Sequence, residues 1–101
     1  MAVAGLKLRW TGPALQDLRD ASDFIARDRP GAADDVVGRL FEAAESLLEY
    51  PERGRVHPET GLRLLPVRRT SMMLVYEIAD GAILIYEVRH MARRPFADPA
   101  D

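Results

Sequence analysis

A chain of 101 residues, 48% apolar and 30% charged, has the composition of one globular domain, with enough apolar residues for a single core and too few to surround a large internal cavity. No apolar run approaches the roughly 20 residues of a spanning helix. The absence of cysteine rules out disulfides and thiolate metal sites, and a net charge of −2 is not that of a strongly basic nucleic-acid binder. The first residues, MAVAGLKLRW, lack the charged and apolar regions of a secretory signal. The expectation is a single cytoplasmic domain over residues 1–101, with no membrane partner, no metal, no cofactor and no direct nucleic-acid binding of its own.

The elements follow in chain order. Leu6, Leu8 and Trp10 alternate with Lys7 and Arg9, the period of a half-buried strand. Thr11-Gly12-Pro13 stops it, with Thr11 placed to cap a helix and Pro13 suited to its first turn. Ala14, Leu15, Leu18, Ala21, Phe24 and Ile25 then fall on one face at helical spacing, while Asp17, Asp20 and Asp23 read as a solvated opposite face. After a turn at Asp28-Arg29-Pro30-Gly31, a second apolar stripe from Ala33 to Leu48 predicts a helix over about 30–48, antiparallel to the first. Residues 50–61, with two prolines and two glycines, read as loop.

Three strands are expected at about 62–67, 72–78 and 82–89. Pro66 pushes the first of them toward an edge or a bulge, and Asp80-Gly81 makes a tight hairpin between the last two. The ordered core should run over 5–95 and the tail over 96–101 should fray. The order β-α-α-β-β-β defines an α+β domain, an antiparallel sheet covered on one face by a helical hairpin, with the first strand at an edge or beside the last.

Charge is unevenly spread along this order. Residues 1–50 hold six basic and nine acidic side chains, whereas residues 53–94 hold eight and four, and all eight are arginine. Arginine presents a planar fork to carboxylates and phosphates, which suits an interface, although an arginine-rich codon usage would give the same excess. The strand Ile83–Val88 runs into Arg89, His90, Arg93 and Arg94, with no acid between Glu87 and Asp98.

Over residues 6–95 the chain resembles the ParE branch of the RelE/ParE toxins of bacterial toxin–antitoxin pairs. The resemblance is carried by LRWTGPALQDLRDASDFIARDRPGAA, LLEYPERGR, GLRLLPV, LVYEI and VRHMARRP. It implies a small antiparallel sheet packed by two N-terminal helices, a stress-response toxin held in a hetero-oligomer with a cognate ParD-like antitoxin, and DNA gyrase as the target, inhibited by protein–protein contact. RelE-type relatives instead cleave mRNA on the ribosome, and a diverged member could survive as an inactive binding or autoregulatory module.

RNA cleavage needs one group to take a proton, one to give it, and positive charge at the phosphate. By resemblance the candidates are Arg63, His90 and Tyr86. The family's late tyrosine is absent, because Met91 stands where it would follow His90. Strand parity puts Tyr86 and His90 on one face, about 13 Å apart. Each also has a plain structural reading: His90 as a strand-end hydrogen-bonding group, and Arg63 as a framework cation paired with Glu77 or Glu87. For contact with antitoxin or target, the candidates are Arg63, Arg68, Arg69, Arg89, His90, Arg93 and Arg94 as a positive patch. Leu47, Leu48, Met72 and Met73 are the candidates for an apolar groove.

Overall fold

In the computed structural model, which describes residues 5–91, the alternation of Leu6–Trp10 forms a short strand, β1 (Lys7–Trp10). Thr11 ends it and caps the helix that follows, its hydroxyl accepting from the Ala14 amide at 3.3 Å, with Pro13 in the first turn. Helix α1 (Gly12–Asp28) is separated from α2 (Pro30–Ser46) by Arg29 alone. Pro30 cannot continue α1 but suits the first turn of α2, so the chain reverses there.

Four further strands follow: β2 (Arg55–Val56), β3 (Arg63–Pro66), β4 (Met72–Ala79) and β5 (Ala82–His90). Asp80 and Gly81 both take positive φ, 52° and 73°, as a two-residue hairpin turn requires. The sheet order is β1-β5-β4-β3-β2. The expected α+β architecture holds, and β1 is both an edge strand and the neighbour of β5. Two points differ from expectation. Strand β1 pairs with β5 in parallel, through Lys7↔Ala82 to Trp10↔Ile85, so the sheet is mixed. A two-residue strand, β2, also lies inside the segment read as loop, paired with Leu64 and Arg63.

One sheet face carries Leu65, Met72, Leu74, Tyr76, Ile83, Ile85 and Val88, which pack in one cluster against Ala14 and Leu18 of α1 and Leu40 and Ala44 of α2. Each large side chain taken fully out of water contributes about 1.5–3 kcal/mol before entropic costs. Leu15 and Phe24, expected in that core, are 36% and 60% exposed. The hairpin covers the sheet with a narrower stripe than the helical spacing alone implies.

Tyr76 explains why the YPERGR segment has its sequence. Its ring is fully buried, and its hydroxyl donates to the Pro51 carbonyl and accepts from the Gly54 amide, both at 2.8 Å. A Cβ on Gly54 would lie 2.7 Å from the Tyr76 ring and 3.1 Å from the Leu64 carbonyl, so only glycine admits this approach. The neighbouring Arg63 guanidinium donates to the Gly54 carbonyl at 2.7 Å and the Glu52 carbonyl at 3.3 Å. Together they bolt residues 51–54 onto the end of β3 and β4. Tyr76→Phe is expected to leave two backbone groups underpaired and lower stability by about 1–3 kcal/mol, read as a lower urea midpoint at unchanged slope. Gly54→Ala should cost at least as much, since backbone or ring must move. A midpoint unchanged in both variants would remove Tyr76 as the anchor of the loop.

Candidate functional site

Strand β1 is shorter than β5 and covers only its first half, leaving the backbone of the second half to be satisfied by something else. Helix α1 does this. Thr11 donates twice to the Ile85 carbonyl, from its amide at 3.1 Å and its hydroxyl at 2.8 Å. Six residues later, Asp17 Oδ2 accepts the Val88 amide at 3.1 Å. Asp17, expected to be solvated, is therefore a half-buried structural acceptor. Its position three residues after Ala14 and four before Ala21, on the border of the apolar stripe, was the available sign. Burial raises its pKa above the ordinary 3.8, assisted by the charges of Glu87 and Asp20. The Val88 hydrogen bond and, more weakly, Arg89 pull the other way.

The paired strands β4 and β5 do not keep parity. Val75 is opposite Glu87 but Tyr76 is opposite Ile85, so Tyr86 is an extra, bulged residue. On the His90 side of the bulge, Val88 pairs with Leu74 and His90 with Met72, the helix-facing set. Tyr86 belongs to the opposite face, where its hydroxyl donates to Glu77 Oε1 at 2.7 Å, an interaction that raises its pKa. The expected shared face of Tyr86 and His90 is thus corrected by one inserted residue.

His90 Nε2 instead meets Ser71 Oγ at 3.0 Å. Arg63, expected to pair with Glu77 or Glu87, holds the carbonyls of the 52–54 loop. It sits opposite Tyr76, four residues along β4 from the Met72–His90 pair and hence about 13 Å away at strand rise. The three residues that an RNA-cleaving reading needs are therefore not assembled: two occupy opposite faces and the third is at the far end.

The positive patch is brought together in part. Arg68 and Arg69, exposed in the turn after β3, lie at the same sheet end as Arg89 and His90, because Pro66 pairs with Met73 and Met73 with Arg89. Arg89 is only 16% exposed and binds Glu87 Oε2 through both Nε (3.0 Å) and Nη2 (2.7 Å). Arg63 is outside this group, and Arg93 and Arg94 lie outside the described residues. Of the apolar candidates, Leu47 and Met72 are core residues and offer nothing to a partner at this surface, while Leu48 and Met73 are half-buried. Met73 shares the helix-free face with Leu64 and Val75, both buried there, and with Glu87 and Arg89. That face has an apolar centre in which Leu64 and Val75 are already buried and Met73 is half-buried, with Arg89 and Glu87 beside it.

On the helix side, a groove of about 680 Å³ runs between the second half of α1 and the end of β5, with Asp20, Asp23 and Phe24 on one wall and Ser71 and His90 on the other. Among the described residues no group of three or more histidine, cysteine or carboxylate side chains could hold a metal ion, and no helix is long and apolar enough to cross a membrane.

The chain is thus a small α+β domain with two helices over one sheet face and arginines gathered at one sheet end. The sequence profile described as "ParE toxin of type II toxin-antitoxin system, parDE" matches residues 8–95, and the chain belongs to this family of toxins. It is 43% identical over 84 residues to Toxin RelE2 of Caulobacter vibrioides, covering 83% of this chain and 93% of that one. It is 34% identical over 73 residues to the protein Y4kP of Sinorhizobium fredii, covering 72% and 76%. Its fold matches a structure of the chromosomal ParDE system of P. aeruginosa at a TM-score of 0.76 and 22% identity, covering 85% of this chain and 96% of that one.

The raised pKa of Asp17 has a definite sign in stability. A carboxyl that holds its proton more tightly when folded favours the native state at low pH, and that contribution is lost as pH rises from about 3.8 through the raised value. Asp17→Asn keeps an acceptor for the Val88 amide and removes the charge. It should be at least as stable as the parent at pH 7, with the difference vanishing below about pH 4 in urea titrations. Asp17→Ala, which loses the acceptor, should be weaker by about 1 kcal/mol at both pH values.

Proposed function

We propose that this toxin acts by protein–protein contact, inhibiting DNA gyrase when free and silenced when a cognate ParD-like antitoxin covers it in a hetero-oligomer. The family and the ParDE structural relative support the antitoxin. The observation that carries contact over cleavage is the dispersal of the acid–base candidates: Tyr86 tied to Glu77 on one face, His90 to Ser71 on the other, Arg63 to loop carbonyls. Each of those groups is hydrogen-bonded to a different neighbour, whereas proton transfer requires them convergent on one phosphate.

In this reading Arg68, Arg69, Arg89, His90 and Met73 form the contact surface at one sheet end, and Arg93 and Arg94, outside the described residues, remain candidates from the sequence alone. The name of the Caulobacter relative, RelE2, favours the other reading, ribosome-dependent mRNA cleavage. The two separate in one experiment. The chain is expressed inducibly in bacteria without antitoxin, and gyrase cleavage complexes, supercoiling and mRNA integrity are followed together. Contact with gyrase predicts DNA breaks with intact mRNA. Codon-placed mRNA cuts with normal supercoiling would sink it. Reversing the exposed turn charges, Arg68→Glu with Arg69→Asp, should reduce growth inhibition at least about tenfold, as loss of interface arginines commonly does. The thermal midpoint should hardly move, since Asp tolerates the positive φ of 62° at position 69.

A further inference from the structure

The groove between α1 and the end of β5 separates two groups of opposite charge. Its helical wall carries Asp20 and Asp23. Asp17 is level with Val88, where the two are bonded. At about 1.5 Å per helical residue and 3.3 Å per strand residue, Asp20 and Asp23 then bracket the level of His90. His90 pairs with Met72, so these carboxylates stand at the level of the start of β4 and the turn before it. Arg27 and Arg29, also on the groove, lie further along α1 and past that level.

On the other wall, Ser71 and Met72 form the base of the turn that carries Arg68 and Arg69, both exposed. That turn is tightly closed. The Val67 amide donates to the Met72 carbonyl at 3.0 Å, and the Thr70 hydroxyl donates to the Val67 carbonyl at 2.8 Å while accepting from the Met72 amide at 3.0 Å. The backbone beneath the two guanidinium groups is therefore set before any partner arrives, which lowers the ordering cost of a contact.

Neither group is neutralised by the rest of the fold. No ion pair among the described residues involves Arg68, Arg69, Asp20 or Asp23; the one found there joins Arg89 to Glu87. Phe24, next to Asp23 on the helical wall, is 60% exposed, more than any other large apolar side chain among the described residues. A two-fold axis brings each of two patches on one molecule against the other patch on its mate. Two patches of opposite sign on the two sides of one groove are thus complementary to a second copy, and a single contact neutralises both.

We propose that this groove is the interface of a two-fold homodimer, in which the Arg68-Arg69 turn of each copy lies on Asp20 and Asp23 of the other and the Phe24 rings are covered between them. This inference does not depend on the identity of the target. The same turn belongs to the contact surface proposed above, so the dimer keeps that surface covered, and an antitoxin or target that takes it must first separate the copies.

Exchanging charge across the interface tests this. In sedimentation velocity of the full chain, freed of antitoxin, over a concentration series spanning the micromolar range, the parent should pass from monomer to dimer. Salt raised toward about 1 M should weaken that association. Reversing the turn, Arg68→Glu with Arg69→Asp, or the wall, Asp20→Arg with Asp23→Arg, sets like charges together in both contacts of a self-pair. Each reversal should raise the dimer dissociation constant at least about tenfold. All four positions are exposed, so the fold should be retained. An equimolar mixture of the two variants restores opposite charge at both contacts and should associate about as tightly as the parent. A parent that stays monomeric across the series overturns the proposal. So does a dimer that survives both reversals, or a mixture that associates no better than its components.

Discussion

The bare backbone of β5 beyond the end of β1 is the constraint around which the domain is arranged. Four residues of β1 leave the amide of Val88 facing away from β4 with no strand to receive it. An exposed edge of this kind pairs readily with other chains, and a buried unpaired amide costs stability. The chain solves both problems by turning at Thr11 directly into α1 and laying that helix along the strand, with Thr11 and Asp17 as the contacts. The direction of α1 then determines where α2 lies, which sheet face is covered and where the groove opens.

A second constraint acts within the same hairpin, on the pairing of β4 with β5. Tyr86 and Tyr76 both lie in the strand hairpin, yet they have different duties. Tyr76 is buried to its hydroxyl and orders the 51–54 loop, and desolvation raises its pKa, so the phenol stays protonated as the hydrogen-bond donor to Pro51. Tyr86 lies on the uncovered face, pushed there by the bulge, with its hydroxyl on Glu77. One tyrosine belongs to the frame and the other to the surface.

The sequence was readable where a local rule dominates. Apolar periodicity placed both helices and β1, the spacing of turn residues placed β3, β4 and β5, Thr11 and Pro13 marked the start of α1, and Asp80-Gly81 marked the hairpin. Three features depended on non-local partners and escaped that reading. Strand β2 spans only two residues and exists because Tyr76 and Arg63 hold its preceding loop. The bulge at Tyr86 has no turn residue to announce it, and it inverted the face assigned to Tyr86 relative to His90. Asp17 looked like one of three surface acids until the unpaired Val88 amide was set beside it. The arginine-rich sheet end was visible as composition, but which of its members converge depended on register: Arg68, Arg69 and Arg89 do, and Arg63 does not.

The contact between Trp10 and Phe41 carries a different kind of consequence. The indole of β1 and the ring of α2 meet edge to face, with centroids 5.2 Å apart at 63°. Trp10 is the only tryptophan in the chain, and Phe41 is 40% exposed. Tryptophan emission, excited selectively over the three tyrosines, therefore reports on a single place, the seam between α2 and the parallel edge strand. An emission change on adding a partner would report a change in the packing of Trp10 against Phe41.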